Sequence, residues 1–267
     1  MQVPLAQRTI PLHFGQMIAS LMMYARPELD GAHQRFWSQI RDNLAVLGIA
    51  TPRELSQTAG EFKVWEDPTL VVSQTCGMPY RTRLHGSVQI VGTPDYGLQG
   101  CSAGYYRSAI VVRADDPRHA LTDYCKAKLA YNMSHSQSGF AALYAHTQPL
   151  GFWFTNRVES GGHLRSAQMV AEGGADIASI DAQTWRLIQR YEPFAERLRV
   201  LEHTAPTPAL PYITGPRYDP AVIYDAISEA VLMLDTIDRE ALDLRGFVKI
   251  DPAKYLAIPN PPASAAL

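Results

Sequence analysis

The sequence predicts an α/β protein, as one large domain or two lobes, on three observations. Short apolar runs alternate along the chain with longer segments whose apolar residues recur at helical spacing. The runs end in turns rich in Gly, Ser and Thr, where the strand ends of open α/β sheets gather ligands. Finally, a long apolar stretch at residues 104–113 and a Pro-rich stretch at 202–211 read as the chain leaving one lobe and returning to it. At 267 residues the chain is long enough for one large domain or two lobes of ordinary size.

Hydrophobic residues make up 46% of the chain and charged residues 19%, with a net charge of −2. That composition describes a globular protein. No basic excess argues for nucleic acid or an anionic membrane surface. An anionic ligand would have to be held by local dipoles and donors, not by the overall field. The three cysteines, Cys76, Cys101 and Cys125, have no CxxC spacing and no paired histidines, so neither a zinc site nor another cofactor is expected. A Cys76–Cys101 bridge is open to an exported protein. No stretch approaches the ~20 apolar residues of a membrane span. Residues 1–13 lack a signal peptide's continuous apolar core, so either the chain stays in the cytoplasm or a leader has been cut off.

Taken in order, residues 18–24 read as the first buried strand. Arg26-Pro27-Glu28 opens a helix whose apolar positions Phe36, Trp37, Ile40, Leu44 and Leu47 keep a helical period to Gly48. Thr51-Pro52-Arg53-Glu54 has the form of a capping box and a helix start. Residues 69–73 are the next strand, with Gln74-Thr-Cys-Gly-Met-Pro-Tyr80 as the turn after it. Residues 88–91 are a third strand, and the long run 104–113 is ended by Asp115-Asp116-Pro117. Residues 121–126 are a short helix or turn. A helix opens at Gly161-Gly162-His163-Leu164 and ends at Gly173-Gly174. Residues 177–180 form a strand with Asp181 at its carboxyl end, ahead of a helix over 184–190, and 198–201 form another strand. Residues 220–242 are helix-patterned, and the tail from 258 reads as loose.

The richest stretch is Leu129-Ala-Tyr-Asn-Met-Ser-His-Ser-Gln-Ser-Gly-Phe140, a buried strand end, a serine turn and the start of an amphipathic helix. Ser136 or Ser138 can cap that helix. Other first-turn N–H groups then lie at the positive end of the helix dipole, where a tetrahedral oxyanion could take them together with the hydroxyls. An ordinary Ser-rich cap is the plainer alternative.

Four stretches in this order resemble the phosphate/phosphonate-type substrate-binding components of ABC transporters, in the type II periplasmic binding protein fold. The first is the strand 129–131 running into Asn132 and Ser136-Gln137-Ser138-Gly139-Phe140, similar to the family's Ser-x-Ser-Gly loop that grips ligand oxygens. The second is Ser160-Gly161-Gly162-His163, similar to the loop whose histidine reaches the ligand. The third is the phrase from Val170 to Asp181, and the fourth the Pro-rich return at 204–211. The resemblance implies two α/β lobes joined by two crossover strands with a ligand cleft between them. Residues 1–108 and 206–267 would form lobe I, and 109–205 lobe II. It implies a small oxyanion ligand such as phosphate, phosphite or phosphonate, ABC transporter membrane subunits as partners, no nucleic acid, no catalytic residue and a periplasmic location. The sequence departs from the family's pattern at Gln74–Tyr80, so Tyr24 and Tyr80 are the candidates for lobe I's contribution.

The chemistry of the candidate site follows from the residue types. Hydroxyls of Ser136 and Ser138, with N–H groups of Gln137, Ser138 and Gly139, would give converging donors that replace an oxyanion's water. His163 adds a donor and, if protonated, a charge. Asp181 beside an anion makes sense if it accepts from a protonated ligand oxygen or an amino group. As plainer alternatives, His163 is a helix cap or surface histidine and Asp181 caps the following helix. Two other functions stay open: a cytoplasmic ligand-sensing module, or an enzyme on the same fold using Ser138, His163 and Asp181. Against the enzyme, there is no Gly-x-Ser-x-Gly elbow.

Overall fold

The computed structural model describes residues 17–266, so the expectation that residues 1–13 hold no signal-peptide apolar core falls outside the described residues. In chain order the strands are β1 (Ile18–Ser20), β2 (Leu70–Gln74), β3 (Gln89–Asp95), β4 (Tyr105–Tyr106), β5 (Ser108–Arg113), β6 (Leu129–Tyr131), β7 (Arg157–Glu159), β8 (Ile177–Asp181), β9 (Leu198–His203), β10 (Thr207–Pro208), β11 (Tyr212–Thr214) and β12 (Gly246–Val248). They build two five-stranded sheets, ordered β1-β2-β11-β3-β12 and β7-β6-β8-β5-β9, and a two-stranded ribbon of β4 and β10.

The second sheet shows why its strands read as continuous apolar runs: it is covered on both faces. From β5, Ala109 and Val111 point into a cluster with Ala167, Val170, Trp185 and Ile188 of helices His163–Ala171 and Ala182–Tyr191. Ile110 and Val112 point the other way, to Tyr124, Phe140, Leu143 and Phe154. Beside the first sheet, helix Asp30–Val46 buries Phe36, Trp37, Ile40 and Leu44 in one cluster with Ile223, Ile227 and Val231 of helix Pro220–Met233. It stops ahead of Gly48, whose φ of +74° only glycine adopts at low cost.

The crossings are more regular than the sequence implies. The long run at 104–113 breaks at Arg107, so that β4 pairs antiparallel with β10 (Tyr106 opposite Thr207, Tyr105 opposite Pro208) before β5 enters the second sheet. The Pro-rich return therefore carries a short strand, because a two-residue pairing tolerates proline at its end.

Several expected elements shift. The first strand ends at Ser20 and a 3-10 turn, Met22–Tyr24, swings Tyr24 inward. The expected helix at Thr51 does not form. Instead the Ser56 N–H pairs with the Ala19 carbonyl, and the Gln57 amide oxygen accepts from Ser20 Oγ and the Leu21 N–H, so the segment is bound along β1. The third strand continues through Asp95, and the helical pattern after 220 breaks between Met233 and Thr236.

The tail is not loose. Tyr255 is buried among first-sheet residues. Arg81 Nε then donates to Asn260 Oδ1 at 2.6 Å, and Ala265 lies in the second sheet's cluster, its carbonyl accepting from Trp153 Nε1 at 3.0 Å. A stretch expected to lie wholly in lobe I thus reaches across to the second sheet. Among the described residues no helix is long and apolar enough to cross a membrane.

Trp153→Phe keeps a smaller aromatic ring among Phe140, Tyr144 and Phe154 and deletes the tail's hydrogen bond. It should cost about 1 kcal/mol in denaturant unfolding and speed proteolysis after Leu256. A tail cut no faster than in the wild type would show that this contact does not hold it.

Candidate functional site

Ser136, and not Ser138, caps the serine-loop helix. Its backbone is extended (φ −82°, ψ 132°), and its hydroxyl accepts from the Gly139 N–H at 3.0 Å. The helix opens on a wide turn in which the Ala141 N–H reaches the Ser136 carbonyl, a distortion that recurs at functional sites. The Ser138 carbonyl accepts from Ser108 Oγ on β5 at 2.9 Å and Ser179 Oγ on β8 at 2.7 Å. With its backbone pinned to the sheet, Ser138 turns its own hydroxyl to His163 Nε2, 2.9 Å away.

His163 begins its helix after Gly161 and Gly162. That loop is stapled to the end of β6 by the Ser160 N–H on the Tyr131 carbonyl and the Gly161 N–H on the Asn132 carbonyl. Asn132 Nδ2 faces His163 Nε2 at 3.4 Å. Burial pushes the His163 imidazole down to about 4, so the ring is neutral at pH 7 and supplies no charge. Gly139 is required by close approach. A Cβ there would stand 1.9 Å from Asn132 Oδ1 and 3.1 Å from His163 Cε1.

Asp181 ends β8 and does two things at once. Oδ1 caps helix Ala182–Tyr191, accepting from the Gln183 and Thr184 N–H groups at 2.8 and 2.9 Å. Oδ2 accepts from the Tyr24 hydroxyl at 3.0 Å, across from the other sheet's side. Burial pushes the Asp181 carboxyl up to about 6, against the opposing pull of these donors. The Tyr24 phenol is pushed well up by burial and by Asp181.

These groups line one pocket of about 380 Å³, with Tyr24, Trp65, Cys76 and Pro79 on one side and Asn132, Ser136, Ser138, His163 and Asp181 on the other. It opens into an outer cleft of about 1140 Å³ bordered by Arg26, Glu28 and Glu192. Arg26 Nη2 meets Glu192 at 2.9 Å across that mouth.

Of the candidates, Ser136, Ser138, His163, Asp181 and Tyr24 are brought together. Gln137 and Gly139 are in the loop, but two of the three expected amide donors are already committed. The Gln137 N–H donates to Cys76 Sγ at 3.3 Å, and the Gly139 N–H to Ser136. The Ser138 N–H makes no hydrogen bond among the described residues. Tyr80 does not line the pocket: it is buried with Val64, Trp65 and Leu84, its ring edge-on to Tyr255. Cys76, Cys101 and Cys125 are free thiols, so Cys76 and Cys101 are not bridged. Sequence reasoning missed Cys76 as a lining residue, since nothing in its neighbourhood carries a motif. Among the described residues no group of three or more His, Cys, Asp or Glu side chains could hold a metal ion.

Among the described residues, the pocket-lining Asn132 Oδ1 and His163 Nδ1 are buried without a hydrogen-bond partner. Such atoms are rare in folded interiors and mark places where a polar guest completes the bonding. Ser138 and His163 have the spacing of a nucleophile and its base. Asp181 does not complete a triad, because both its oxygens face other donors.

A family model described as the periplasmic substrate-binding protein of phosphonate ABC transporters matches residues 80–255. No curated protein sequence matches the chain. Among solved structures, PhnD1 from Prochlorococcus marinus in complex with methylphosphonate is similar at a TM-score of 0.70 and 12% identity, over 90% of this chain and 94% of that one. A binding protein component of an ABC phosphonate transporter from Pseudomonas aeruginosa gives 0.68 and 12%, over 90% and 82%. A Xanthomonas citri protein bound to ATP gives 0.64 and 17%, over 90% and 92%. Likeness at such identities shows the fold alone, and it is the type II periplasmic binding protein fold expected above.

Asp181 and His163 impose opposite pH dependences. Asp181 holds its proton to about 6 when folded and to about 4 when unfolded, so its contribution to stability is lost as pH rises through that window. His163 is neutral down to about 4 when folded but gains a proton below about 6.5 when unfolded, so its contribution is lost as pH falls. Relative to wild type, Asp181→Asn should gain stability more steeply from pH 4 to 6 in urea unfolding, and His163→Asn less steeply. Slopes unchanged in both variants would mean that neither group is desolvated.

Proposed function

Because this chain belongs to the family of periplasmic substrate-binding proteins of phosphonate ABC transporters, we propose that it closes its two lobes over a small phosphate-, phosphite- or phosphonate-type anion and hands it to a transporter's membrane subunits in the periplasm. Ser136, Ser138, His163, Asp181 and Tyr24 are the ligand-facing residues of that proposal. The observation that carries it is the Ser138–His163 pair at 2.9 Å, set at the start of a helix beside Asp181 and facing Tyr24 across the cleft. Neutral donors of this kind replace an oxyanion's hydration shell, and the apolar Met23, Trp65 and Leu210 beside them suit a small organic group.

Asp181 gives the pocket a means of discrimination. As an acceptor it favours a ligand oxygen that keeps its proton, or an amine, over a fully ionised group. Closure would be held by contacts that join helix Ala182–Tyr191 to the first sheet's side. These are Arg186 Nη1 on the Tyr96 carbonyl at 2.9 Å and Gln183 Nε2 on Asp243 at 2.9 Å, besides Arg26 with Glu192.

Thermal unfolding with phosphate, phosphite, methylphosphonate and sulfate tests the proposal. A true ligand at about a hundred times its Kd should add about 2.7 kcal/mol. Ser138→Ala should weaken binding about tenfold or more, and Gly139→Ala should abolish it by displacing Asn132 and His163. No stabilisation by any of the four at millimolar concentration would sink it.

A further inference from the structure

Next to the ligand pocket lies a second chamber of about 370 Å³, close to the pocket's own volume. Leu21, Leu29, Phe36, Leu187, Leu242 and Leu244 give it an apolar side. On its polar side, Gln74 Nε2 donates to the Tyr96 hydroxyl at 3.2 Å and to the Leu210 carbonyl at 3.1 Å, and Gln183 Nε2 to Asp243 at 2.9 Å. Leu210 itself lines the ligand pocket, so the two spaces are neighbours. Among the described residues they share a single lining side chain, that of Tyr24.

Tyr24 is fixed at both its edge and its tip. The ring stands edge-on to Tyr96, with centroids 5.2 Å apart and planes at 79°, and the hydroxyl donates to Asp181 Oδ2 at 3.0 Å. A ring held this way is a wall. Its neighbour in the pocket, Trp65, is backed differently: it packs among Val64, Leu70 and Tyr80, with Nε1 on the Gln74 carbonyl at 3.0 Å. A group pushed against Trp65 meets filled core, whereas one pushed against Tyr24 meets a single ring with space beyond it.

An oxyanion seated at Ser138 and His163 turns its organic substituent toward the opposite, more apolar side, where Tyr24 stands with Met23, Trp65 and Leu210. The other way out runs past Glu61 into the cleft bordered by Arg26, Glu28 and Glu192, where an apolar group gains little. Resting on the function proposed above, we propose that Tyr24 sets the size limit of the ligand: its ring divides one larger cavity in two and holds the pocket to phosphonates with small substituents. The chamber beyond is space that the ring denies to the ligand.

Calorimetric titration of the full chain with methylphosphonate and phenylphosphonate tests this, the readout being the ratio of the two affinities. Wild type should favour methylphosphonate about tenfold or more, the cost of forcing a ring into a filled site. Tyr24→Ala joins the two spaces and should bind phenylphosphonate about tenfold or more tighter than wild type does. Tyr24→Phe deletes the hydrogen bond to Asp181 but keeps the wall, so its ratio should stay within about threefold of wild type. Adding Leu242→Phe to Tyr24→Ala fills the chamber from its far side and should take the phenylphosphonate gain away, which general loosening of the pocket would not explain. Equal affinities in wild type, no gain in folded Tyr24→Ala, an equal gain in Tyr24→Phe, or a gain that survives Leu242→Phe overturns the role of Tyr24. Binding of methylphosphonate by wild type leaves the ligand class standing in each of those cases, and a wild type that binds neither compound overturns both readings. Should Tyr24→Ala not fold, Tyr24→Leu decides: a shift of about threefold or more toward phenylphosphonate upholds the wall, and a smaller one in the folded variant ends the proposal.

Discussion

The site depends on one buried carbonyl. Ser138 C=O lies against the second sheet and receives two hydroxyl donors, Ser108 from β5 and Ser179 from β8. A buried carbonyl deprived of both would cost about 1–3 kcal/mol, so the loop has one low-energy place to sit. Everything else about the loop follows from that placement. Ser136 is left to cap, the wide first turn accommodates the pinned backbone, and the Ser138 hydroxyl is aimed at His163. Two serines that look interchangeable in the sequence, Ser136 and Ser138, thus have separate tasks, set by which polar group each is near.

The same economy appears at Asp181. Capping a helix and lining a pocket were alternatives on the sequence, yet one carboxylate does both because its two oxygens face different ways. The helix it caps packs Trp185 and Ile188 against its own sheet, while Leu187 joins the other lobe's cluster. Whatever occupies the pocket therefore acts on the cap of the element that spans the cleft. In the closure proposed above, a ligand would shift the balance only by the difference in its contacts with the two states, and the Tyr24–Asp181 hydrogen bond is one contact that joins the two sides.

What could be read from the sequence was whatever repeats locally. β5 and β8 were legible because strands covered on both faces are apolar throughout, and helix Asp30–Val46 because its buried positions keep a helical period to Gly48. Ser136, Ser138 and His163 were legible because a turn rich in hydroxyls and glycine carries its chemistry in its composition. The Thr51 segment misled because a capping box says nothing of what a neighbouring strand offers. Its backbone was drawn to Ala19 and its Gln57 to Ser20. Tyr80 and Cys76 show the same limit in another form. They lie four residues apart in one turn, and only the path of the chain decides that the thiol meets the cleft while the ring is buried against Tyr255.

The tail ties the two halves of the molecule together a third time, beside β4 and β10. Its anchor on one half is Asn260 at Arg81, and on the other Ala265 at Trp153. Fully stretched chain spans at most about 3.5 Å per residue, so the five steps between these anchors reach no farther than roughly 17 Å. While both ends hold, that tether would limit how far the two halves could part in the closure proposed above.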